Sequence, residues 1–238
     1  MHPLVGDVTS KSSLASLAGH MKQQHGYIDV LFANSGVGGP GIPFSKPHGE
    51  GKASLHEWLE ASWAVDMADF TRTLEVNVTG AYYTCLAFLA LLDEGNKRND
   101  GLGAEARRQK SQIIITSSIA GFNRSIPHNP AYPASKAAVT NLVKTLATHL
   151  GQFHIRVNAI APGLYPSEMT AGHGAVKEGM QPDEEGALPA SVVPLERMGA
   201  EEDMMAMVLW MMSRGGSYLA GSVVLSDGGR LSQLPATY

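Results

Sequence analysis

Tyr132 and Lys136 stand four residues apart in the run Ala-Tyr-Pro-Ala-Ser-Lys-Ala-Ala that begins at Ala131. On a helix, side chains at i and i+4 share a face, which brings the lysine ammonium close to the phenol. A free phenol titrates near ~10, and a neighbouring positive charge favours the phenolate. The pair is therefore a candidate for proton transfer at neutral pH. Alone it fits equally a solvated surface lysine beside a half-buried tyrosine, so the surrounding elements have to decide.

Those elements alternate. Short apolar runs with strand character at residues 28–33, 112–116, 155–160 and 221–225 are separated by helical patterns at 10–25, 54–59, 68–92, 131–151 and 201–212. Such alternation predicts βαβ units and a parallel sheet covered on both faces, an α/β fold. Residues 4–7 read as a further short strand, and Gly26 as the stop of the first helix. Residues 93–110, polar and charged with Gly95, Gly101 and Gly103, read as a surface loop with a short helical turn. The methionines of the last helix, Met204, Met205, Met207, Met211 and Met212, read as gap-fillers of the core. Within residues 162–194 glycine and proline are frequent and no regular pattern emerges.

A chain of 238 residues predicts one domain, 1–238, with one core. Its composition, 44% hydrophobic and 17% charged with net charge -4, gives no electrostatic reason to expect nucleic acid or an anionic membrane. A small molecule is the expected partner. The single cysteine, Cys85, cannot form an internal disulfide, the nine histidines are scattered, and no Cys/His spacing suits a metal. The opening Met-His-Pro-Leu-Val-Gly-Asp does not resemble a targeting segment, so a cytoplasmic protein is expected. The most apolar stretch, residues 81–92, falls short of the ~20 residues that span a bilayer and reads as a buried helix.

The pair gains meaning from five further motifs in order: Asn34-Ser35-Gly36 after a strand, Asn77-Val78-Thr79-Gly80 in the long helix, Thr116-Ser117-Ser118-Ile119-Ala120-Gly121, Asn158-Ala159-Ile160-Ala161-Pro162-Gly163, and Asp227-Gly228-Gly229. In this order they resemble the short-chain dehydrogenase/reductase family, over nearly the whole stretch 5–230. The resemblance implies a Rossmann-like, doubly wound parallel sheet in three layers. It also implies hydride transfer between NADP or NAD and a secondary alcohol or ketone, in a homo-oligomer, dimer or tetramer. Carried over residue by residue, it makes Tyr132 the general acid/base and Lys136 its electrostatic partner and a ligand of the cofactor ribose. Ser118 would polarise the substrate oxygen, with Ser117 the alternative, and Asn77 would hold a water linking Lys136 to solvent. Asp7 and Val8 resemble the residues that meet the adenine, Asn34 and Gly36 those along its ribose. Pro162, Gly163 and Ser167 resemble those at the nicotinamide side, and residues 165–195 a mobile lid.

The family also opens with a strand, a glycine-rich turn and a helix whose N-terminus meets the pyrophosphate, followed by a second strand. Nothing like these precedes Leu4, so the sequence is expected to start at the family's third strand, N-terminally truncated, with the edge of residues 28–33 bared. Gly36, Gly38 and Gly41 do match a dinucleotide fingerprint literally. Pro40 and Pro43 stand where its helix would have to run, so a glycine loop is expected instead. Two functions remain open: a nicotinamide-dependent oxidoreductase, or a cofactor-deficient relative serving as an interaction subunit or non-redox enzyme.

Overall fold

The computed structural model describes residues 3–41, 54–107, 109–124, 130–170 and 175–237. In chain order these form α1 (Lys11–His25), β1 (Val30–Ala33), α2 (Leu55–Trp63), α3 (Met67–Leu74), a π-helical turn (Glu75–Gly80) and α4 (Ala81–Gly101). There follow α5 (Ala104–Arg107), β2 (Gln112–Thr116), α6 (Ala131–Leu150), β3 (Arg156–Pro162), α7 (Glu201–Met212) and β4 (Val223–Ser226).

The run Gln-Ile-Ile-Ile-Thr makes β2 because β-branched side chains suit a strand buried on both faces. Ile113 and Ile115 point to one face and meet Cys85 and Leu92 of α4 and Val139 and Val143 of α6. Ile114 points to the other, with Ile160, against Met204, Met207 and Met211 of α7. All described strands are parallel, in the order β1-β2-β3-β4, with Ile113 opposite Val157 and Ile115 opposite Ala159. The Rossmann-like parallel sheet and the three layers are as expected. The described strands run in one direction without reversal, the order of one half of a doubly wound sheet. Two faces are covered because α7 crosses on the face opposite α4 and α6, which gives the β3–β4 connection the opposite hand to its predecessors.

Helix α1 starts where Ser10 accepts from the Ser13 amide and stops where Gly26 turns left-handed at φ 78. Residues 4–7 before it are not a strand. Val5 is fully exposed, and the backbone of Asp7 turns into the helix cap, its N–H donating to Ser13 Oγ at 2.8 Å and its carbonyl accepting from Ser10. A strand needs a neighbour to take its backbone groups, and these residues have no ladder partner in the described sheet.

The stretch 93–110 is also corrected, because α4 continues to Gly101. The residues that suggested a loop form a buried polar face. Asn96 accepts from Ser111 N–H at 2.7 Å and donates to the Phe153 and His154 carbonyls, while Asn99 donates to Asp29 and to the Gln109 carbonyl. With the π turn, the helix Met67–Gly101 runs 35 residues, long and apolar enough by length and composition to cross a membrane. Residues 81–92 are not buried all round. One stripe, Ala81, Cys85, Leu91 and Leu92, enters the core and Leu86 stays exposed. Of the α7 methionines, Met211 is fully buried, whereas Met205 and Met212 face outward.

Gly95 marks where α4 meets the strand layer. A Cβ there would stand within contact of the Ile28 carbonyl and 2.9 Å from Ser111 Oγ. Helix propensity alone favours alanine by about 1 kcal/mol. The collision with backbone reverses that sign, and Gly95→Ala is expected to lower stability by about 1–3 kcal/mol in urea unfolding. A more stable variant would show that α4 does not lie this close to Ile28.

Candidate active site

Parallel strands deliver their carboxyl ends to one edge, and the loops after β1, β2, β3 and β4 gather there. After β1, Asn34 accepts a hydrogen bond from Thr116 Oγ1 at 2.7 Å, which ties the first loop to the end of β2. Gly36, Val37 and Gly38 continue without helical structure, and nothing through Gly41 forms the helix a dinucleotide fingerprint requires; Pro43 lies outside the described residues.

Asn77 sits in the π turn and is 2% exposed. A π turn inserts one residue into a helix and re-aims the side chains around it, a geometry common at functional sites. Here it aims the Asn77 amide inward. Its Oδ1 accepts from Val37 N–H at 2.8 Å, and its Nδ2 donates to the Val37 carbonyl and to Ser135 Oγ, both at 2.9 Å. Both amide hydrogens are thus engaged in clamping the β1 loop to α6.

Lys136 is the buried cation of the group, 3% exposed, its Nζ donating to the Thr116 carbonyl at 2.8 Å. Burial pulls its pKa down to about 8. A Cβ at Gly36 would stand 3.2 Å from Asn77 Oδ1 and 3.4 Å from Lys136 Nζ, so Gly36, Asn77 and Lys136 converge on one point. The ammonium also lies over the Tyr132 ring, 5.6 Å from its centroid.

Ser118 caps the turn Ile119–Gly121, its Oγ accepting from Ala120 N–H at 3.1 Å, and its hydroxyl lies near enough to the Tyr132 phenol to favour the phenolate. Ser117 faces the other way. It bonds the Lys136 carbonyl and Thr140 in the buried seam between β2 and α6, which separates the two serines the sequence left open. The turn approaches α6 so closely that a Cβ on Gly121 would lie 2.7 Å from the Lys136 carbonyl carbon. One expectation is reversed. Tyr132 is not shifted down by Lys136; burial raises its pKa, and the nearby Ser118 hydroxyl partly opposes the rise.

The remaining candidates are spread along the same edge. Asp7 keeps its Oδ1 in its own turn, bonded to the Thr9 amide and hydroxyl, and Val8 packs near Gly80. Pro162 ends β3, and Gly163 donates to the Ser226 carbonyl, with no room for a Cβ beside Asp227. Ser167 is exposed in a turn organised by Thr170, whose Oγ1 accepts from Ser167 N–H and donates to the Tyr165 carbonyl. The following segment is not an unstructured loop. Leu188, Val193 and Met198 form a small core of their own, joined by Leu164 and Val176.

Two contributors escaped the sequence reading. Ser135 links Asn77 to the Tyr132 carbonyl, which it reaches at 2.7 Å, and its signal was a serine three residues after Tyr132 on a helix. Thr116 serves both Asn34 and Lys136. A second tyrosine, Tyr165, lines a cavity of ≈ 90 Å³ between Ser226, Arg197 and Asp203. Burial raises its pKa and Ser226 holds its hydroxyl at 2.6 Å, but the Arg197 guanidinium beside that cavity is committed to Asp203.

Burying the Lys136 ammonium disfavours the folded state while that group is charged. Below pH about 8 it is protonated folded and unfolded, and the penalty is complete. Between that value and the ordinary 10.5 the unfolded chain binds the extra proton, so stability rises with pH; above 10.5 the penalty is gone. Wild type minus Lys136→Met unfolding free energy is expected to rise across this window, at up to about 1.4 kcal/mol per pH unit. A flat difference from pH 7 to 10 would contradict the buried charge.

The chain has relatives among known proteins. The family model described as Enoyl-(Acyl carrier protein) reductase matches residues 2–230. The chain is 44% identical over 236 residues to the short-chain dehydrogenase/reductase PhomF' of Diaporthe leptostromiformis, covering 99% of this chain and 76% of that one. It is 39% identical to the short-chain dehydrogenase/reductase SAT3 of Stachybotrys chartarum, over 99% of this chain and 87% of the relative. Among solved structures, the Pseudomonas aeruginosa RhlG/NADP active-site complex superposes with a TM-score of 0.73 at 26% identity, over 96% of this chain and 76% of that chain. Fold, ordered motifs and relatives agree, and the chain belongs to the short-chain dehydrogenase/reductase family of oxidoreductases.

Proposed function

We propose that the protein moves a hydride between NADP or NAD and the carbinol carbon of a secondary alcohol or ketone. The observation that carries this reading is Tyr132 with the Lys136 ammonium over its ring, beside the Ser118-capped turn that packs on α6, at the carboxyl end of the sheet. When a carbonyl gains hydride, negative charge grows on its oxygen, and donors aimed there stabilise the transition state more than the ground state. Ser118 and Tyr132 supply those donors. Tyr132 delivers the proton in ketone reduction and removes it in alcohol oxidation.

The raised pKa of Tyr132 keeps the phenol protonated at neutral pH, the form that ketone reduction needs. Alcohol oxidation needs the phenolate and is expected to gain with rising pH. Asn77, whose amide hydrogens are engaged by Val37 and Ser135, holds the loop and helix in place, and a water linking Lys136 to solvent would bind through its oxygens. The residues fit a nicotinamide cofactor at the point where Gly36 leaves space beside Asn77 and Lys136 that a side chain would fill. Lys136 and Tyr132 would hold it, with Asn34, Gly36, Asp7 and Val8 on one side and Pro162, Gly163 and Ser167 on the other. When bound, it supplies or accepts the hydride.

A second reading, an interaction subunit or a non-redox enzyme using the same tyrosine, is favoured by the outer edge of β1. That strand has β2 as its one neighbour in the described sheet and offers an unpaired ladder to another chain. Titration of the purified protein with NADPH and with NADH, followed by cofactor fluorescence, separates the two. Saturable binding is expected for at least one; no change with either at millimolar concentration would refute the redox reading. In the binding form, Tyr132→Phe is expected to lower ketone reduction by about 10²–10⁴-fold with cofactor affinity nearly unchanged. Retained turnover would remove Tyr132 from the acid/base role.

A further inference from the structure

The last described residues do not trail away from the body. After β4, Asp227 closes a turn in which its Oδ1 accepts from Gly229 N–H at 3.0 Å and its Oδ2 from Leu231 N–H at 2.7 Å. Gly229 takes a left-handed φ of 82 there, and Leu231 is buried. The turn is anchored to the segment that precedes α7. Arg230 donates to the Val192 carbonyl at 2.6 Å, and Leu195 N–H donates to the Gly228 carbonyl at 3.2 Å.

The chain then runs extended alongside the residues that follow Ser118. Arg124 N–H donates to the Pro235 carbonyl and Thr237 N–H to the Phe122 carbonyl, both at 2.8 Å, with Asn123 opposite Ala236 in an antiparallel bridge. Phe122 directly follows the turn that Ser118 caps, and that turn is pressed against α6 at Lys136 through Gly121. The turn is thus fixed on one side by the helix that carries Tyr132 and on the other by residues 235–237.

We propose that residues 227–237 act as a positioning strap that sets Ser118 against Tyr132, with the Thr237 backbone N–H as its terminal fastening. The proposal rests on the catalytic reading of Ser118 and Tyr132 for its effect on turnover, but not for its effect on geometry. Freed of the strap, the turn moves away from α6 and carries Ser118 away from the Tyr132 phenol. Because Ser118 favours the phenolate, its displacement moves the Tyr132 titration further upward. Lys136 is the charged group the structure places over this ring, and its tie to the Thr116 carbonyl does not involve the strap.

Thr237→Pro removes the donating N–H, and Thr237→Ala keeps it. Tyr132 is read without turnover, as the difference in alkaline tyrosinate absorbance between each protein and its Tyr132→Phe counterpart. Thr237→Pro is expected to raise that midpoint by about one pH unit and to lower kcat at least about tenfold, with cofactor Kd within about twofold. Thr237→Ala should match the unsubstituted protein. An unmoved midpoint in Thr237→Pro, or equal shifts in both variants, overturns the strap. In the unsubstituted chain the Arg124 and Thr237 amides should exchange slowly with deuterium, and fast exchange at both overturns it as well. If no protein turns over while the midpoint still moves, the redox reading fails and the strap stands.

Discussion

A lysine ammonium enclosed by protein, with its Nζ on a backbone carbonyl, is costly to bury and has to be held. Lys136 finds its acceptor in the Thr116 carbonyl at the very end of β2. A carbonyl at a strand end is free of the ladder, so it can accept from a side chain without robbing the sheet. Meeting it requires the first turn of α6 to lie across the end of β2, and that one requirement arranges the rest. It brings Tyr132 beside the Ser118 turn, leaves space for glycine alone at Gly121, and turns Ser117 into the seam as a hydrogen-bonded filler.

The second constraint is how close neighbouring loops come to this point. Gly36 passes within reach of both Asn77 and Lys136, and the π turn delivers Asn77 to clamp Val37. Ser135 then connects Asn77 to the Tyr132 carbonyl, so the loop after β1, the long helix and α6 share one polar network. Such networks are rigid when satisfied, which suits side chains that must be oriented before a substrate arrives. Arg197 and Asp203 play the corresponding part at the start of α7, where Asp203 also takes the Ala200 N–H.

Much of this was legible in the sequence because the relevant signals are local. The Ile-Ile-Ile of β2 and the capped α1 announce themselves by side-chain chemistry, and Tyr132 and Lys136 by helical spacing. What was not legible depends on partners far along the chain. Residues 4–7 carry strand-like side chains, yet a strand exists only beside another. Gly95, Asn96 and Asn99 have the composition of a loop, and only their contacts with Ile28, Ser111, Phe153 and Asp29 make them the buried face of a helix. Asn77 shows the same limit, since its partner Val37 lies 40 residues away. The direction of the Tyr132 shift was hidden for a related reason: spacing places Lys136 near the ring but does not reveal how deeply the phenol is buried.

The buried ammonium on which this arrangement depends can be observed on its own. Carbon-13 labelling of lysine at Cε, with Lys136→Met to assign the signal, follows its titration by NMR. The account predicts a midpoint at about 8, well below that of the exposed lysines. A midpoint at the ordinary lysine value of ~10.4 would mean the ammonium is solvated, and the packing of α6 on β2 described above would be wrong.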